Sequence, residues 1–153
     1  METNIVNNAD GRYDFNNIVD HTYNLYDLMR LLHSVNKAIC DSLGDYSQPT
    51  WDDISSSVMI TSSSYQDHQG NVKSIYNSIE FIKSNPDCDA GAFHQNWCDF
   101  MQSRGWKYGP VKDSEKKEHP CLVQFKDLPQ EQITKDAVFM TIVKFWLTVS
   151  NRV

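Results

Sequence analysis

The chain has 153 residues, 40% of them hydrophobic and 12% aromatic, with a formal net charge of −6. That is enough apolar material for one compact domain with a real core, and it argues against a disordered tail. The acidic balance argues against a general DNA or RNA binder, whose affinity rests on phosphate neutralisation, but it permits a small anion in a local basic pocket.

The first fifteen residues form a polar arm without a basic segment or apolar core, so they do not read as a signal peptide. No apolar run reaches the roughly 18 residues of a membrane span, and AVFMTIVKFWLTV is broken by Lys144. The chain therefore reads as cytoplasmic, with no membrane partner. Cys40, Cys88, Cys98 and Cys121 are irregularly spaced and contain no C-x-x-C pair, which argues against a disulfide framework.

From about Asn16 to Leu43, Ile18, Tyr23, Tyr26, Met29, Leu32, Ile39 and Leu43 recur at helical spacing, and Gly44 stops the run. SQPTWDDISSSVMITSSSYQDHQGN then reads as a Ser-rich loop with a short strand at Val58–Ile60. A second helix, about Val72 to Lys83, sets Ile75, Tyr76, Ile79 and Ile82 on one face and ends at Asn85-Pro86. A third, about Gly91 to Arg104, carries the stripe Phe93, Trp97, Phe100 and Met101 and stops at Gly105. The following GWKYGPVKDSEKKEHP is too rich in Gly, Pro and charge for a helix, and CLVQF reads as a short extended piece. Asp127-Leu-Pro-Gln opens the fourth helix, with Asp127 or a neighbour as cap. From Ala137 to Val149 it is apolar on most sides, which predicts burial against several helices or a homo-oligomer contact.

The expected fold class is mainly α: two pseudo-repeated helix-loop-helix units with long loops and short β-strands. A shift of 61 positions pairs His33 with His94, Gly44 with Gly105, Pro49 with Pro110 and Asp52 with Asp113. Five of the twenty-one positions from His33 to Asp53 are identical under that shift. One domain over 16–153 is expected, its halves at about 16–88 and 89–150 facing each other across a groove. His33 and His94 are expected to anchor the opposite loops.

The words His94–Trp97, GWKYGP, KDSEKKEHPCLVQF and Leu128-Pro129 resemble the ryanodine receptor repeat, or RyR domain, over about 94–147. HSVNKAICDSLGDYSQPTW looks like the upstream half of small stand-alone RyR-domain proteins of bacteria and their phages, extending the likeness to about 31–147. The resemblance implies a helical module of paired repeats that binds a nucleotide-derived signal, such as one made from NAD, or another adenine nucleotide. In a phage setting it implies capture of a host defence signal.

The loop's chemistry suits that implication. A base wants an aromatic face, worth roughly 1–3 kcal/mol of stacking, and phosphates want cations and backbone N–H groups in a turn. Trp106 or Tyr108 supplies the first; Lys107, Lys112, Lys116 and Lys117 with the Gly109-Pro110 turn supply the second. The competing reading is a self-compensating charged loop, because Asp113 and Glu115 interleave with the lysines, and an indole that merely staples the helix end. His119 is either a donor to phosphate or ribose or a residue tying the loop down. Asn36, Lys37 and Trp51 line the same groove from the first half if the repeat holds. His94, Cys98, His119 and Cys121 supply zinc-type ligands, but their spacing matches no common zinc motif, so no metal or cofactor is expected. With no nucleophile elbow, P-loop, Rossmann glycines or H-E-x-x-H, the chain reads as a binder and not an enzyme. The alternative function is a protein–protein interaction module docking through the charged loop.

Overall fold

The computed structural model describes residues 25–55 and 63–150. The polar arm, the expected first helical turns from Asn16 to Asn24 and the Val58–Ile60 strand lie outside the described residues.

Helix α1 (Leu25–Ser42) buries Leu28, Met29, Leu32, His33 and Cys40, the face that the three-to-four spacing dictates. It ends in a Schellman turn: Asp45 N–H donates to the Cys40 carbonyl (3.0 Å) and Gly44 N–H to Asp41 (3.1 Å), with Gly44 at φ +83°. Helix α4 (Ala90–Ser103) repeats the design. Asp89 caps its start by accepting from Ala92 N–H at 2.7 Å, and Phe93, His94, Cys98 and Met101 are buried. At its end, Trp106 N–H donates to Met101 (3.1 Å) and Gly105 N–H to Gln102 (2.9 Å), with Gly105 at φ +86°. Both glycines occupy the left-handed region, which a side chain would strain. Every atom pair in the second turn lies 61 positions after its counterpart in the first.

Helices α3 (Ser63–Ser84) and α5 (Gln130–Ser150) complete the two halves, with a short helix α2 (Trp51–Ser55) between α1 and α3. α1 packs on α3 and α5, α4 packs on α5 and α3, and α3 packs on α5. Exchanging α1 with α4 and α3 with α5 leaves this pattern unchanged, as two facing helix-loop-helix units require. Ile82 and Val143, both fully buried, sit in the shared core with Leu32, Ile79, Phe93 and Met140. Each such aliphatic side chain contributes about 1.5–3 kcal/mol of transfer free energy. α5 is apolar on most sides because it meets three helices; Lys144 reaches out of the apolar run to the Cys88 carbonyl at 3.2 Å.

Three expectations about local structure need correction. Trp51–Ser55, read as part of a loop, forms helix α2. α3 starts at Ser63, not near Val72, so residues 63–71 of the Ser-rich segment are helical, Gly70 included. Packing of Ile75, Ile79 and Ile82 secures the helix, and propagation then costs little per residue even through weak formers. CLVQF is not a strand; it leads into a 3-10 turn at Phe125–Asp127. Leu122 is buried beside Cys98 and Met101, and the Val123 carbonyl is taken by His94, so this backbone has no free edge for pairing. The strands lie upstream: β1 (Lys107–Tyr108) runs parallel to β2 (Glu118–His119). Lys107 N–H donates to Lys117 (2.9 Å), and Asp113 and Glu118 exchange two backbone bonds of 2.9 Å. The Asp113 carboxylate accepts from Glu115 and Lys116 N–H, closing the turn between them. These bonds hold the Gly- and Lys-rich loop in shape.

Candidate ligand groove

A cavity of about 550 Å³ lies where the halves meet. α1, the 45–48 loop and α3 form one wall; α4, the loop from Trp106 to Cys121 and α5 form the other. Arg104, Lys112, Lys117 and Lys135 line it against only Asp45 and Asp136, so a chain of net charge −6 gathers positive charge here. Phe93, Trp97, Trp106 and Phe139 contribute its aromatic surface.

His119 occupies one corner. Its ring meets Trp97 edge-on at 5.1 Å and Trp106 at 6.3 Å, and its Nδ1 accepts from Cys121 N–H at 3.1 Å. Burial, then the charges of Lys112 and Lys135, push the imidazole pKa down to about 4. Lys135 Nζ donates to Cys40 Sγ at 3.0 Å, linking α5 to α1. Asp136 accepts from Gln132 at 2.9 Å, and burial raises its carboxyl above the usual range. Hydrogen bonds from Ser47 hold the Asp45 carboxyl low, with Lys135 and Lys112 acting in the same direction. Burial lifts the Cys98 thiol to about 11 and raises that of Cys121, which leaves both poor nucleophiles.

Of the residues singled out in the sequence, Asn36, Trp106, Lys112, Lys117 and His119 line the cavity. The others do not. Lys107 projects outward, 3.8 Å from Glu118, and Lys116 lies 3.6 Å from Asp113. Tyr108 is 58% exposed outside the cavity lining. Gly109 is needed by the loop itself, because a Cβ there would stand 2.5 Å from the Glu118 Cβ. Lys37 forms an ion pair with Asp41 one turn along α1, at 3.0 Å. Trp51 is a core residue, 6% exposed, whose indole N–H donates to Tyr26 at 2.9 Å. Even Lys117 is engaged, its Nζ donating to the Arg104 carbonyl at the end of α4 (2.9 Å) from a backbone at φ +54°.

His33 and His94 are buried anchors, but each ties down the loop of its own half and not the opposite one. His33 Nε2–H donates to the Pro49 carbonyl (2.8 Å) and His94 Nε2–H to that of Val123 (2.7 Å). Cys98 Sγ stands 3.3 Å from the same His94 nitrogen. Among the described residues no group of three or more His, Cys, Asp or Glu is placed to hold a metal ion.

Sequence reasoning missed Lys135, Gln132 and Asp136 on α5, and it assigned Trp97 to the core stripe alone. The polar run QITKD, opening an otherwise apolar helix, was the available signal.

The fold and the groove define a mainly α-helical protein of two facing halves with a basic, aromatic-lined cleft between them. Residues 82–152, from the end of α3 through α5, match the family model described as RyR domain, so this part of the chain is similar to that family. No solved structure matches the chain. No helix among the described residues is long and apolar enough to cross a membrane.

Proposed function

We propose that the groove binds a small nucleotide-derived anion of the ADP-ribose, cyclic ADP-ribose or adenine nucleotide class and releases it unchanged. The observation that carries this reading is the concentration of four cations and two indoles around one cleft in an acidic chain. Its volume of about 550 Å³ falls in the range of small-molecule sites, roughly 300–1,000 Å³. The base stacks on Trp106, and the phosphates face the cationic wall. The likeness to stand-alone RyR-domain proteins of bacteria and phages supports capture or sensing of such a signal. Sequestration against a host defence is the form this takes in a phage.

A thermal-shift screen with ADP-ribose, cyclic ADP-ribose, ATP and cyclic dinucleotides tests the reading. Ligand at about 100 times its dissociation constant stabilises the protein by about 2.7 kcal/mol. Chromatography of the mixture returns the ligand intact; a new product would make the protein an enzyme, and no shift with any of the four would remove the reading. Exposed Tyr108 and Val111, at 58% and 70%, favour the second reading, a protein-docking loop, in that event. Phe145, 64% exposed on α5, is the contact for self-association, and a strict monomer in light scattering at high concentration removes that proposal.

A further inference from the structure

The four cations of the groove are not equally available. Lys117 Nζ is held by the Arg104 carbonyl, and the Arg104 guanidinium lies over the Phe100 ring at 5.6 Å. Lys112 is exposed and makes no hydrogen bond or ion pair with the described residues. Lys135 donates to the Cys40 sulfur, a weak acceptor that an anionic oxygen readily replaces. Both lysines act electrostatically on His119, so the three groups form one corner.

The imidazole there is set in one form. A backbone N–H can only donate, so the Cys121 bond makes Nδ1 the acceptor and leaves the neutral ring's proton on Nε2. Among the described residues Nε2 has no hydrogen-bond partner, and the ring lines the cavity.

We propose that the anionic end of the ligand seats at the Lys112–His119–Lys135 corner, where His119 is a neutral Nε2–H donor locked in a single tautomer, and not at Lys107 and Lys116 of the lysine-rich turn. The inference rests on the groove being the binding site. It assigns the ligand class as a phosphate or diphosphate gripped by one free ammonium, one ammonium held only by sulfur, and one uncharged N–H. The other charged groups at this corner are Asp45 after α1 and Asp136 on α5, with the Cys121 thiol beside the ring. Asp45 lies within electrostatic reach of the two lysines and carries the same sign as a phosphate, so it weakens anion binding.

The neutral donor functions without protonation, since the free ring titrates near 4. A phosphate beside it raises that pKa, so the complex holds more protons than the free protein below the raised value. Affinity for a diphosphate diester therefore increases as pH falls.

Two measurements test this. Long-range 1H–15N NMR of the free protein reports the His119 tautomer directly: the Nε2–H pattern between about pH 6 and 8 supports the proposal. An Nδ1–H pattern, or an ordinary titration near 6.5, overturns it, whether or not any ligand binds. Calorimetry with ADP-ribose reads the seat. Lys135→Met and Lys112→Ala each weaken binding by about tenfold or more, Lys135→Arg retains it, and Asp45→Asn tightens it. Lys107→Ala and Lys116→Ala leave it unchanged. Loss of binding from the latter pair, with Lys112 and Lys135 silent, returns the phosphates to the turn and overturns the seat alone. If Lys135→Met fails to fold, Lys112→Ala and Asp45→Asn decide. Absence of binding by all four nucleotides overturns the groove reading itself, a result separate from the tautomer.

Discussion

The two halves share a frame and differ in what they hang on it. In each, a buried histidine eleven residues before a left-handed glycine donates to a carbonyl of its own loop, and a two-bond Schellman turn ends the helix. In the first half the indole that follows the turn, Trp51 at the start of α2, disappears into the core against Tyr26 and His33. In the second, a longer loop keeps Trp106 half-buried at the groove, with His119 beside it and Lys112 free. A buried frame tolerates few solutions and so is the same twice. The loop, bound mainly to itself, is where the chemistry of the two halves diverges.

The sharpest break in this comparison is to truncate the two indoles. Trp51→Ala empties a core site and is expected to cost about 3–5 kcal/mol in denaturant unfolding. Trp106→Ala costs clearly less and instead abolishes the nucleotide-induced thermal shift. Equal stability losses would mean that the halves use their tryptophans alike.

Acid sharpens the contrast next, because the second half buries the His119 imidazole and lowers its pKa to about 4. The unfolded ring takes up a proton near 6.5 and the folded one near 4, so stability falls as pH drops through that window. The loss is about 3 kcal/mol and flattens below the folded value. Asp136 opposes it, since a carboxyl whose pKa is raised by folding gains stability as it protonates. His119→Gln removes the downward slope; an unchanged pH profile in that variant would assign the slope to other groups.

Gly109→Ala separates the loop's own strain from the frame. The new Cβ meets the Glu118 Cβ at 2.5 Å, not the end of a flexible chain, so the β1–β2 pairing must shift. The expected cost is about 1–3 kcal/mol, measured by chemical denaturation, with α1 and its loop unaffected in hydrogen exchange. The smallest effect belongs to the outward lysines. Lys107→Ala and Lys116→Ala should each change stability by less than about 0.5 kcal/mol, because their partners are met at 3.8 and 3.6 Å on the surface.

Much of the frame could be read in advance. The stripes on α1 and α4, the stops at Gly44 and Gly105, and the 61-residue shift all rest on side-chain size, spacing and the glycine requirement of a left-handed turn. The candidate site was legible only in part. Five of its expected residues face the cavity, while Lys37, Lys107 and Lys116 were counted as ligands although each has a carboxylate nearby. Trp51 was taken as groove lining because the repeat paired its loop with the other, and a pairing of positions does not fix which way an indole turns.

The sequence by itself determined the mainly helical fold and the glycine stops of α1 and α4, since these depend on neighbours within a turn or two of chain. Only the tertiary structure decided which charges remain unpaired and which residues from distant segments converge. Lys135 and Cys40 are 95 residues apart yet 3.0 Å from each other. His119 takes its lowered pKa from burial among groups on α4, α5 and its own loop. Burial and electrostatic neighbourhood are properties of space, not of chain order, so no spacing rule could have supplied them.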